Sequence, residues 1–399
     1  MRKSLFIITS SLLLLTSQLL ASDYIVKINE NFNRQNHREN FSELRPDLIL
    51  VKKEMIENFR NLSGVIRIEP NHKLKLYSQP NDLARQQWWL NNKDGHDLDI
   101  QNAWNKSTGS NEIVVATIDS GIDLKHPDLQ ENLWKNQMEI AGEKGVDDDG
   151  NGFVDDFYGW SFYPNSNDNQ DYRGHGTHVA GIIGARTNNG IGVAAVNWNV
   201  KLMGLNVFPR YIEGQVSDAI RGIDYALDNG ADIINASIGA SVDDITKDEF
   251  ESFKEAIRRA RDKDILFVAA AGNNTKNNDI NGDIPASFEI DNIVSVGSMN
   301  RYSEPSGFSN YGKKSVDVFA PGEEIYSTLT RKKYGYKSGT SMSAPVVTGV
   351  AALMLSMNPN LTYQQIKQKL INSCITLPSL KELNKCGGTL SATQALEKL

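Results

Sequence analysis

Short apolar runs rich in β-branched residues alternate with amphipathic stretches from about residue 83 onward, and this alternation constrains the fold more than any other feature. Buried strands are predicted at EIVVATIDSG, VKLMGLNVF, ADIINASIG, ILFVAAAGN, NIVSVGS and VDVFAPG. Between several of them the 3.6-residue periodicity predicts helices, as at 216–228 and 246–263. Such alternation is typical of a mostly parallel sheet covered by helices on both faces. The sequence therefore predicts a doubly wound α/β domain over 78–399.

Polar residues stand where several of these predicted strands end. Asp119, Ser237 and Asn273 each follow an apolar run. Ligands of open α/β sheets bind beyond the carboxyl ends of the strands. We therefore expect the functional site of the domain at this edge of the sheet.

The first 21 residues have the pattern of a secretory signal peptide. Arg2 and Lys3 precede an apolar stretch from Leu5 to Leu15, and the small residues Ala21 and Ser22 follow. A membrane anchor is the alternative, but the apolar stretch is shorter than the roughly 20 residues that a spanning helix needs. The sequence predicts an exported protein, extracellular or periplasmic, that is cut near Ala21 or Ser22 and has no later membrane span.

Residues 22–77 are expected to form a small α+β unit. Strands are predicted at DYIVKIN and GVIRIEPNHKLKLY, with a partly helical stretch at PDLILVKKEMIENFRNL. The turn-forming sequence SQPND at 78–82 is the expected linker.

The charge of the chain is unevenly distributed. Its first 80 residues are mildly basic, although the whole chain has a net charge of -7. The acidic remainder argues against nucleic acid and anionic membranes as partners and suits divalent cations. The basic front unit could dock on this acidic body.

The two cysteines, Cys374 and Cys386, stand near the C-terminal end of the sequence. In an exported protein we expect a short-loop disulfide between them, and two free thiols in a cytosolic enzyme are the alternative. Neither is placed near a candidate base, so a cysteine nucleophile is not expected.

The segment YKSGTSMSAPVVTGVAALML, residues 336–355, places hydroxyl residues between Gly339 and Pro345, in front of an apolar helix. Thr340 or Ser341 can cap this helix, and a proline is tolerated in a first turn. A hydroxyl at that point also faces the positive end of the helix dipole and unpaired backbone N–H groups, which favour negative charge. Ser341 is therefore either part of a cap or a nucleophile, and a nucleophile needs a base beside it.

Two further motifs supply candidate partners. ATIDSGID has Asp119 at the end of a predicted strand, and RGHGTHVAG has His175 and His178 among glycines. Alone, such an aspartate is usually a turn former and such a histidine a structural residue. Together, IDSGID, GHGTHVAG and GTSMSAP stand in the order Asp, His, Ser with separations of 56 and 166 residues, and this is the order found in subtilisin. On these motifs the chain resembles the subtilisin-like serine proteases (subtilases) over about 23–399.

The resemblance implies a role for each of these residues. Ser341 would be the nucleophile, His175 the general base and later the general acid, and Asp119 the residue that orients the imidazole. His178 would be a structural neighbour. VAAAGNN matches the family's oxyanion segment at Asn273, whose amide would act together with the Ser341 backbone N–H.

The resemblance also indicates how a substrate would bind. An extended peptide can pair with exposed backbone as an added strand. The family's pairing edges match SIGA, with Ser237 and Gly239, and EGQVS, with Gly214. Asp283 precedes Ile284 and Pro285 at a position where many members of the family have a small or aromatic residue. It either lines the base of the primary specificity pocket and favours basic substrate residues, or is a solvated loop residue.

Calcium is the expected cofactor, at one or two structural sites. GVDDDGNGFVDDFYGW has acidic and amide residues at positions one, three, five and nine of a calcium-loop pattern, with glycine at position six: Asp147, Asp149, Asn151, Asp155 and Gly152. Tyr158 stands where an EF-hand has glutamate, so the pattern is incomplete, and a loop without an ion is the alternative.

The second calcium site is implied by the resemblance. Asp128 in HPDL, Asn189 in TNNGIGV and Asp82 correspond to the family's tightest calcium site. The loop is one residue longer than in the best-known relatives, which leaves its carbonyl ligands open.

The sequence thus predicts a secreted, calcium-stabilised serine endopeptidase that acts through an acyl-enzyme and is made as a zymogen. The front unit resembles the family's inhibitory prosegment, which would be cut between Leu74 and Asn81. Polypeptide substrates and its own prosegment are the expected partners, and a monomer is the expected state. The alternative is an inactive subtilase scaffold that serves as a calcium-dependent binding protein. An esterase or lipase fits less well, because Ser341 lies in GTSMS rather than in GxSxG.

Overall fold

The computed structural model describes residues 23–71, 79–92, 94–208, 210–211, 213–397 and 399. The predicted signal peptide lies outside the described residues, and so does most of the predicted self-cleavage segment. The chain divides into two compact units, Met1–Leu76 and Tyr77–Leu399. The functions assigned to the two parts of the chain stay predictions.

Within the described residues 23–71, the first unit is an antiparallel sheet with one short helix. Its elements are β1 (Asp23–Ile28), β2 (Phe41–Arg45), β3 (Leu48–Lys52), α1 (Ile56–Phe59) and β4 (Val65–Pro70), with 3₁₀ turns at Gln35–His37 and Lys53–Met55. The strand order is β2-β3-β1-β4. Val26, Ile49, Val51 and Phe59 form part of its buried core. The start of the stretch predicted to be partly helical forms β3 instead, because its buried side chains alternate with a period of two.

The second unit contains the predicted parallel sheet. Its strands are β5 (Gly109–Asp119), β6 (Gly159–Ser161), β7 (Asn199–Asn206), β8 (Ile233–Ala236), β9 (Ala240–Ser241), β10 (Leu266–Ala270), β11 (Asp283–Ile284), β12 (Ile293–Met299), β13 (Val318–Pro321), β14 (Ile325–Leu329), β15 (Lys333–Lys337), β16 (Cys374–Thr376) and β17 (Gly388–Leu390). The main sheet has the order β16-β17-β13-β12-β10-β8-β5-β7-β6. Within it, every described pair is parallel except β16–β17. Two small antiparallel sheets, β9–β11 and β14–β15, complete the strands.

Helices cover both faces of the sheet, which confirms the predicted architecture. They are α2 (Ile100–Trp104), α3 (Gln137–Ala141), α4 (Gly176–Gly184), α5 (Val216–Asp228), α6 (Lys247–Asp262), α7 (Asn278–Asn281), α8 (Thr340–Met357), α9 (Tyr363–Asn372) and α10 (Ala392–Ala395), with 3₁₀ turns at Gln130–Asn132 and Val242–Asp244. Helices α4 and α8 pack with Val115 of β5 in one core. Helices α5 and α6 pack with Ala116, the next residue of the same strand, in the other.

Helix α8 is the central core helix. Among the described residues it is the one helix long and apolar enough to cross a membrane, yet 83% of it is buried inside the protein. A buried apolar helix of this kind is what the sequence predicted for residues 346–355.

The start of α8 differs from the predicted hydroxyl cap. The N-cap residue is Gly339, which has no side chain to offer, and the Thr340 N–H donates to the side-chain oxygen of Asn273 at 2.8 Å. Pro345 lies beyond the first turn, where its missing N–H leaves the Ser341 carbonyl without its helical partner. The Ser237 hydroxyl donates to that carbonyl at 2.9 Å.

Cys374 and Cys386 form a disulfide, as expected from the sequence. The bridge joins β16 to the loop that precedes β17, at the edge of the main sheet.

Candidate active site

The predicted site residues lie at one edge of the main sheet. The neighbouring parallel strands β5, β8 and β10 end at this edge, and Asp119, Ser237 and Asn273 stand at or just after their ends. His175 directly precedes α4, and Ser341 is the second residue of α8. Since α4 and α8 pack in the same core, the start of each helix reaches the edge where the strands end.

Asp119 and His175 form a direct pair. Nδ1 of His175 lies 2.8 and 2.9 Å from the two carboxylate oxygens of Asp119. The Asp119 side chain is fully buried, whereas that of His175 is 32% exposed. The Ser120 N–H also donates to this carboxylate at 2.7 Å. Nδ1 of the imidazole therefore carries the proton, and Nε2 is left as the basic atom.

The electrostatics of the pair favour the imidazolium form. Burial alone would lower the pKa of His175, but the charge of Asp119 and its hydrogen bond outweigh burial and raise the pKa above its ordinary value. His178, three residues on, behaves in the opposite way. Its Nε2 donates towards the carbonyls of Ile325 and Gly335, and burial lowers its pKa to about 3.

A buried aspartate that the sequence analysis did not identify holds this pair in place. Asp171 accepts hydrogen bonds from the Ser120 hydroxyl at 3.0 Å and from the Thr177 N–H at 2.9 Å. It thereby ties the end of β5 to the first turn of α4. Gly176 completes the junction, because a Cβ there would lie 2.1 Å from the Gly121 carbonyl oxygen. In the sequence, the one hint of this contact is that Asp171 stands just before the GHGTHVAG motif.

The Ser341 hydroxyl is hydrogen-bonded to a backbone carbonyl rather than to His175. It donates to the Ser237 carbonyl at 3.1 Å, and no hydrogen bond joins it to His175 among the bonds between described residues. A rotation of the Ser341 side chain is needed before its proton can reach Nε2 of His175. Catalytic hydrogen bonds commonly tighten only when substrate is bound, so this geometry is compatible with a nucleophile at rest.

The side-chain amide of Asn273 has a fixed orientation. Its oxygen accepts from the Thr340 N–H at 2.8 Å and from the Thr340 hydroxyl at 3.0 Å, and its NH₂ group makes no hydrogen bond to another described residue. A Cβ built on Gly339 would lie 3.5 Å from that nitrogen and 3.6 Å from the Ser341 backbone nitrogen. Two nitrogen atoms that can donate hydrogen bonds therefore lie beside the same small space, the kind of arrangement that can stabilise a developing oxyanion.

Two cavities meet at this site. One, of about 540 Å³, is lined by Ser341 and Asn273, and the other, of about 560 Å³, by Asp119 and His175. Both are lined by 237–239, so two predicted substrate-binding residues, Ser237 and Gly239, lie between them. Gly214, the third, lies beside the end of β7, where a Cβ would come within 2.7 Å of the Val207 carbonyl oxygen.

Asp283 lies in the wall of the first cavity, but it is not a solvated loop residue. Its side chain is 8% exposed and pairs with Lys276 at 3.2 Å. The amides of Asn274 and Asn310 each donate to its other oxygen at 2.9 Å. The carboxylate is thus already paired inside the protein, which neither alternative from the sequence foresaw.

The acidic loop forms a cluster that differs in part from the predicted one. Carboxylate oxygens of Glu139, Asp149 and Asp156 lie within 4.8 Å of one another, and Asn151 donates to both aspartates at 3.0 Å. Such an all-oxygen set fits Ca²⁺. Burial raises the pKa of Asp156, and hydrogen bonds from its neighbours only partly offset this effect.

The remaining two predicted residues of the acidic loop face other groups. Asp147 accepts from the backbone N–H groups of Asn151 and Gly152, and Asp155 accepts from that of Gly145. Loop spacing identified Asp149 and Asn151, but it gave no signal for Glu139, which α3 supplies from an earlier position in the chain.

The second predicted calcium site is assembled by three distant segments. Asn189 donates its backbone N–H to Asp82 and its side-chain amide to Asp128, both at 2.8 Å. Burial raises the pKa of Asp128 to about 6, and the charge of Asp82 adds to this effect. Oδ1 of Asp82 is buried without a hydrogen-bond partner among the described residues. A buried, unpartnered carboxylate oxygen beside a second carboxylate fits a divalent cation.

Comparison with known proteins gives a consistent picture. Residues 110–389 match the Subtilase family of peptidases. The chain is similar to the "Thermophilic serine proteinase" of Bacillus sp. (strain AK1), with 34% identity over 350 residues that cover 85% of this chain and 79% of that protein. It is also similar to "Subtilisin-like protease 1" of Plasmodium falciparum, with 36% identity over 71% of this chain and 43% of that protein. The chain thus spans less than half of the Plasmodium relative.

The chain is also similar to solved structures of proteases. A protease of Pseudoalteromonas arctica superimposes with a TM-score of 0.64 at 30% identity, covering 80% of this chain and 99% of that one. A cold-adapted subtilisin-like serine proteinase gives a TM-score of 0.56 at 29% identity, covering 72% of this chain and 90% of that one.

The pairing of Asp119 with His175 makes a prediction about titration. In an NMR titration of labelled histidines, the pKa of His175 should lie above the ordinary value of about 6.5. In Asp119→Asn it should fall below that value, because burial would then act without the opposing charge. His178 is the internal control and should stay neutral until the pH approaches 3. An unchanged His175 titration in Asp119→Asn would contradict the assigned cause.

Proposed function

The chain belongs to the subtilase family of serine proteinases, and from this premise we propose that Ser341, His175 and Asp119 cleave peptide bonds in an exported, calcium-stabilised enzyme made as a zymogen. The observation that carries the proposal is the bonding of His175 Nδ1 to the buried Asp119 carboxylate. That pair leaves Nε2 as a basic nitrogen at the same sheet edge where α8, with Ser341 as its second residue, begins.

In the proposed first step, the Ser341 side chain rotates from the Ser237 carbonyl towards Nε2 of His175. Its oxygen attacks the substrate carbonyl carbon while its proton passes to Nε2. Asp119 keeps the imidazole in the required tautomer and stabilises the cation that forms. The imidazolium then gives its proton to the leaving amine, and a water molecule releases the acyl group by the same route in reverse.

The negative charge that develops on the substrate oxygen would be held by two donors. These are the Asn273 side-chain NH₂ group, whose orientation Thr340 fixes, and the Ser341 backbone N–H, which as part of a first helical turn has no partner within the helix. Because both donors are in place before the reaction, little reorganisation is needed.

Substrate would bind as an extended strand along 237–239, the backbone shared by the two cavities. Consecutive side chains of a strand point to opposite sides. The residue whose carbonyl is attacked, P1, would therefore place its side chain in the cavity beside Ser341, and the preceding residue would face His175.

The calcium part of the proposal rests on both acidic groups. Asp82, Asp128 and Asn189 would bind one ion, and Asp149 with Glu139, Asp156 and Asn151 would bind another. A bound ion would remove the repulsion between neighbouring carboxylates and hold the loops that carry them.

The zymogen part of the proposal rests on the separate first unit and on the N-terminal signal pattern. The first unit would act as prosegment, and Ser341 would cut the chain after it. The competing hypothesis is an inactive scaffold that only binds, and it requires a defect in the catalytic residues. The sequence has all four of them: Asp119, His175, Asn273 and Ser341.

Labelling with a fluorophosphonate separates the two hypotheses. The probe should react with the wild type at Ser341, and Ser341→Ala should remain unlabelled and accumulate as full-length precursor. Its kcat should fall by a factor on the order of 10⁶, the loss found when the nucleophile of subtilisin is removed. Ser343→Ala is the matched control, since Ser343 donates to the Ala320 carbonyl away from His175. A folded wild-type protein that does not react would refute the enzymatic role.

Calcium removal should lower stability. In the Ser341→Ala background, which prevents autolysis, excess chelator should lower the thermal unfolding temperature. At 100 times the dissociation constant, one site contributes about 2.7 kcal/mol to the free energy of unfolding. Asp82→Asn and Glu139→Gln should each remove part of this calcium dependence, and the double variant most of it. Unfolding curves that coincide with and without chelator would eliminate both sites.

A further inference from the structure

The cavity beside Ser341 contains an internal ion pair at the place where a substrate side chain would enter. Asp283 and Lys276 both line this cavity together with Ser341 and Asn273, and their charged atoms lie 3.2 Å apart. Asp244, which is exposed, is the other titratable residue of the lining. A basic substrate side chain would therefore compete with Lys276 for Asp283, and an acidic one would compete with Asp283 for Lys276.

Asp283 is held rigidly in this wall. Its backbone pairs with Ser241 in the β9–β11 sheet, and Oδ2 accepts from the amides of Asn274 and Asn310. Gly272 allows this contact, because a Cβ there would lie 2.4 Å from Oδ2 of Asp283. The carboxylate thus packs directly against the backbone that leads to Asn273.

Lys276 supplies the remaining partner of this carboxylate. Its Nζ is the group that contacts Oδ1, and its backbone N–H donates to the same Asn310 side chain at 2.9 Å. The Lys276 side chain is 33% exposed, whereas that of Asp283 is 8% exposed. The lysine is therefore the more exposed member of the pair, and it lines the cavity that a substrate side chain would enter.

We infer that Lys276 is a specificity-determining residue: by pairing with Asp283 it makes the cavity select an uncharged P1 side chain. A basic P1 side chain would have to displace Lys276 from Oδ1. An acidic one would have to take Lys276 from Asp283, and it would then lie beside that carboxylate and the exposed Asp244. This inference rests on the proposed function, because it names the substrate class for the same site.

Removing the charge of Lys276 should shift the P1 preference of the cavity from uncharged towards basic side chains. Peptides with lysine or its uncharged analogue norleucine at P1 differ only at the end of that side chain. The ratio of their kcat/KM values therefore measures how much the P1 ammonium group gains from a partner in the cavity. In Lys276→Met the ratio should rise in favour of lysine by about tenfold or more, the size expected for one hydrogen bond to a charged group. Lys276→Gln should move the ratio in the same direction and serves if the methionine variant does not fold.

Three variants isolate the cause. Lys276→Arg keeps the cation and should keep the wild-type ratio. Lys276→Met/Asp283→Asn removes the carboxylate as well and should abolish the gain. Lys263→Met is the matched surface control, because Lys263 also pairs with an aspartate, Asp228 at 3.3 Å, but does not line the cavity. A folded Lys276→Met or Lys276→Gln protein with an unchanged ratio would overturn the inference.

Binding measurements keep this test independent of catalysis. Calorimetry on the purified protein with uncleavable, reduced-amide forms of the same two peptides should show the lysine peptide gaining affinity when Lys276 is replaced by Met. Such a gain supports the inference even if no peptide is hydrolysed, a result that would count against the proposed function alone. Equal gains for both peptides, or none, would contradict it.

Discussion

The site depends first on a carboxylate that is completely withdrawn from water. Asp119 has no exposed side-chain surface and shares both oxygens with Nδ1 of His175. An isolated buried charge is costly, so this carboxylate is stable only while it is well paired and hydrogen-bonded. The same requirement fixes the tautomer of His175 and makes Nε2 the basic atom. Asp171 and Ser120 extend the bonding from β5 to α4, so the loop that carries His175 cannot move without breaking several buried hydrogen bonds.

The parallel sheet and its core helix bring the other groups to the same place. Parallel strands end at one edge, and α8 starts at that edge with unpaired N–H groups. Asn273 joins the two, because its side-chain oxygen accepts from the first residue of α8 while its NH₂ group is unbonded within the described part of the chain. Pro345 makes a further link, since it frees the Ser341 carbonyl to accept from Ser237. The residues that hold the helix in place therefore also shape the space in which an oxyanion would form.

The sequence predicted much of this arrangement and missed the rest for physical reasons. Periodicity is a local property, so it correctly gave the doubly wound sheet and the buried core helix. The order of the motifs IDSGID, GHGTHVAG and GTSMSAP pointed to Asp119, His175 and Ser341 as candidate site residues. Contacts between distant segments leave no local pattern: Glu139 reaches the acidic loop from α3, Asn273 takes over the capping role assigned to hydroxyls, and Lys276 neutralises Asp283. Spacing also gave no sign that backbone N–H groups of the loop would donate to Asp147 and Asp155, while Asp149 lies beside Glu139 and Asp156.

In the proposed mechanism, three side chains and one amide act on a single tetrahedral centre beside α8. A crystal structure of the protein with a peptide boronic acid would reveal that centre, because boron mimics the carbon under attack. We expect a bond from boron to Oγ of Ser341, with Nε2 of His175 within about 3.2 Å of that oxygen. One boronate oxygen should accept from the Asn273 amide and the Ser341 N–H. Boron bonded elsewhere, or a Ser341 side chain that still donates to Ser237, would contradict the assigned catalytic roles.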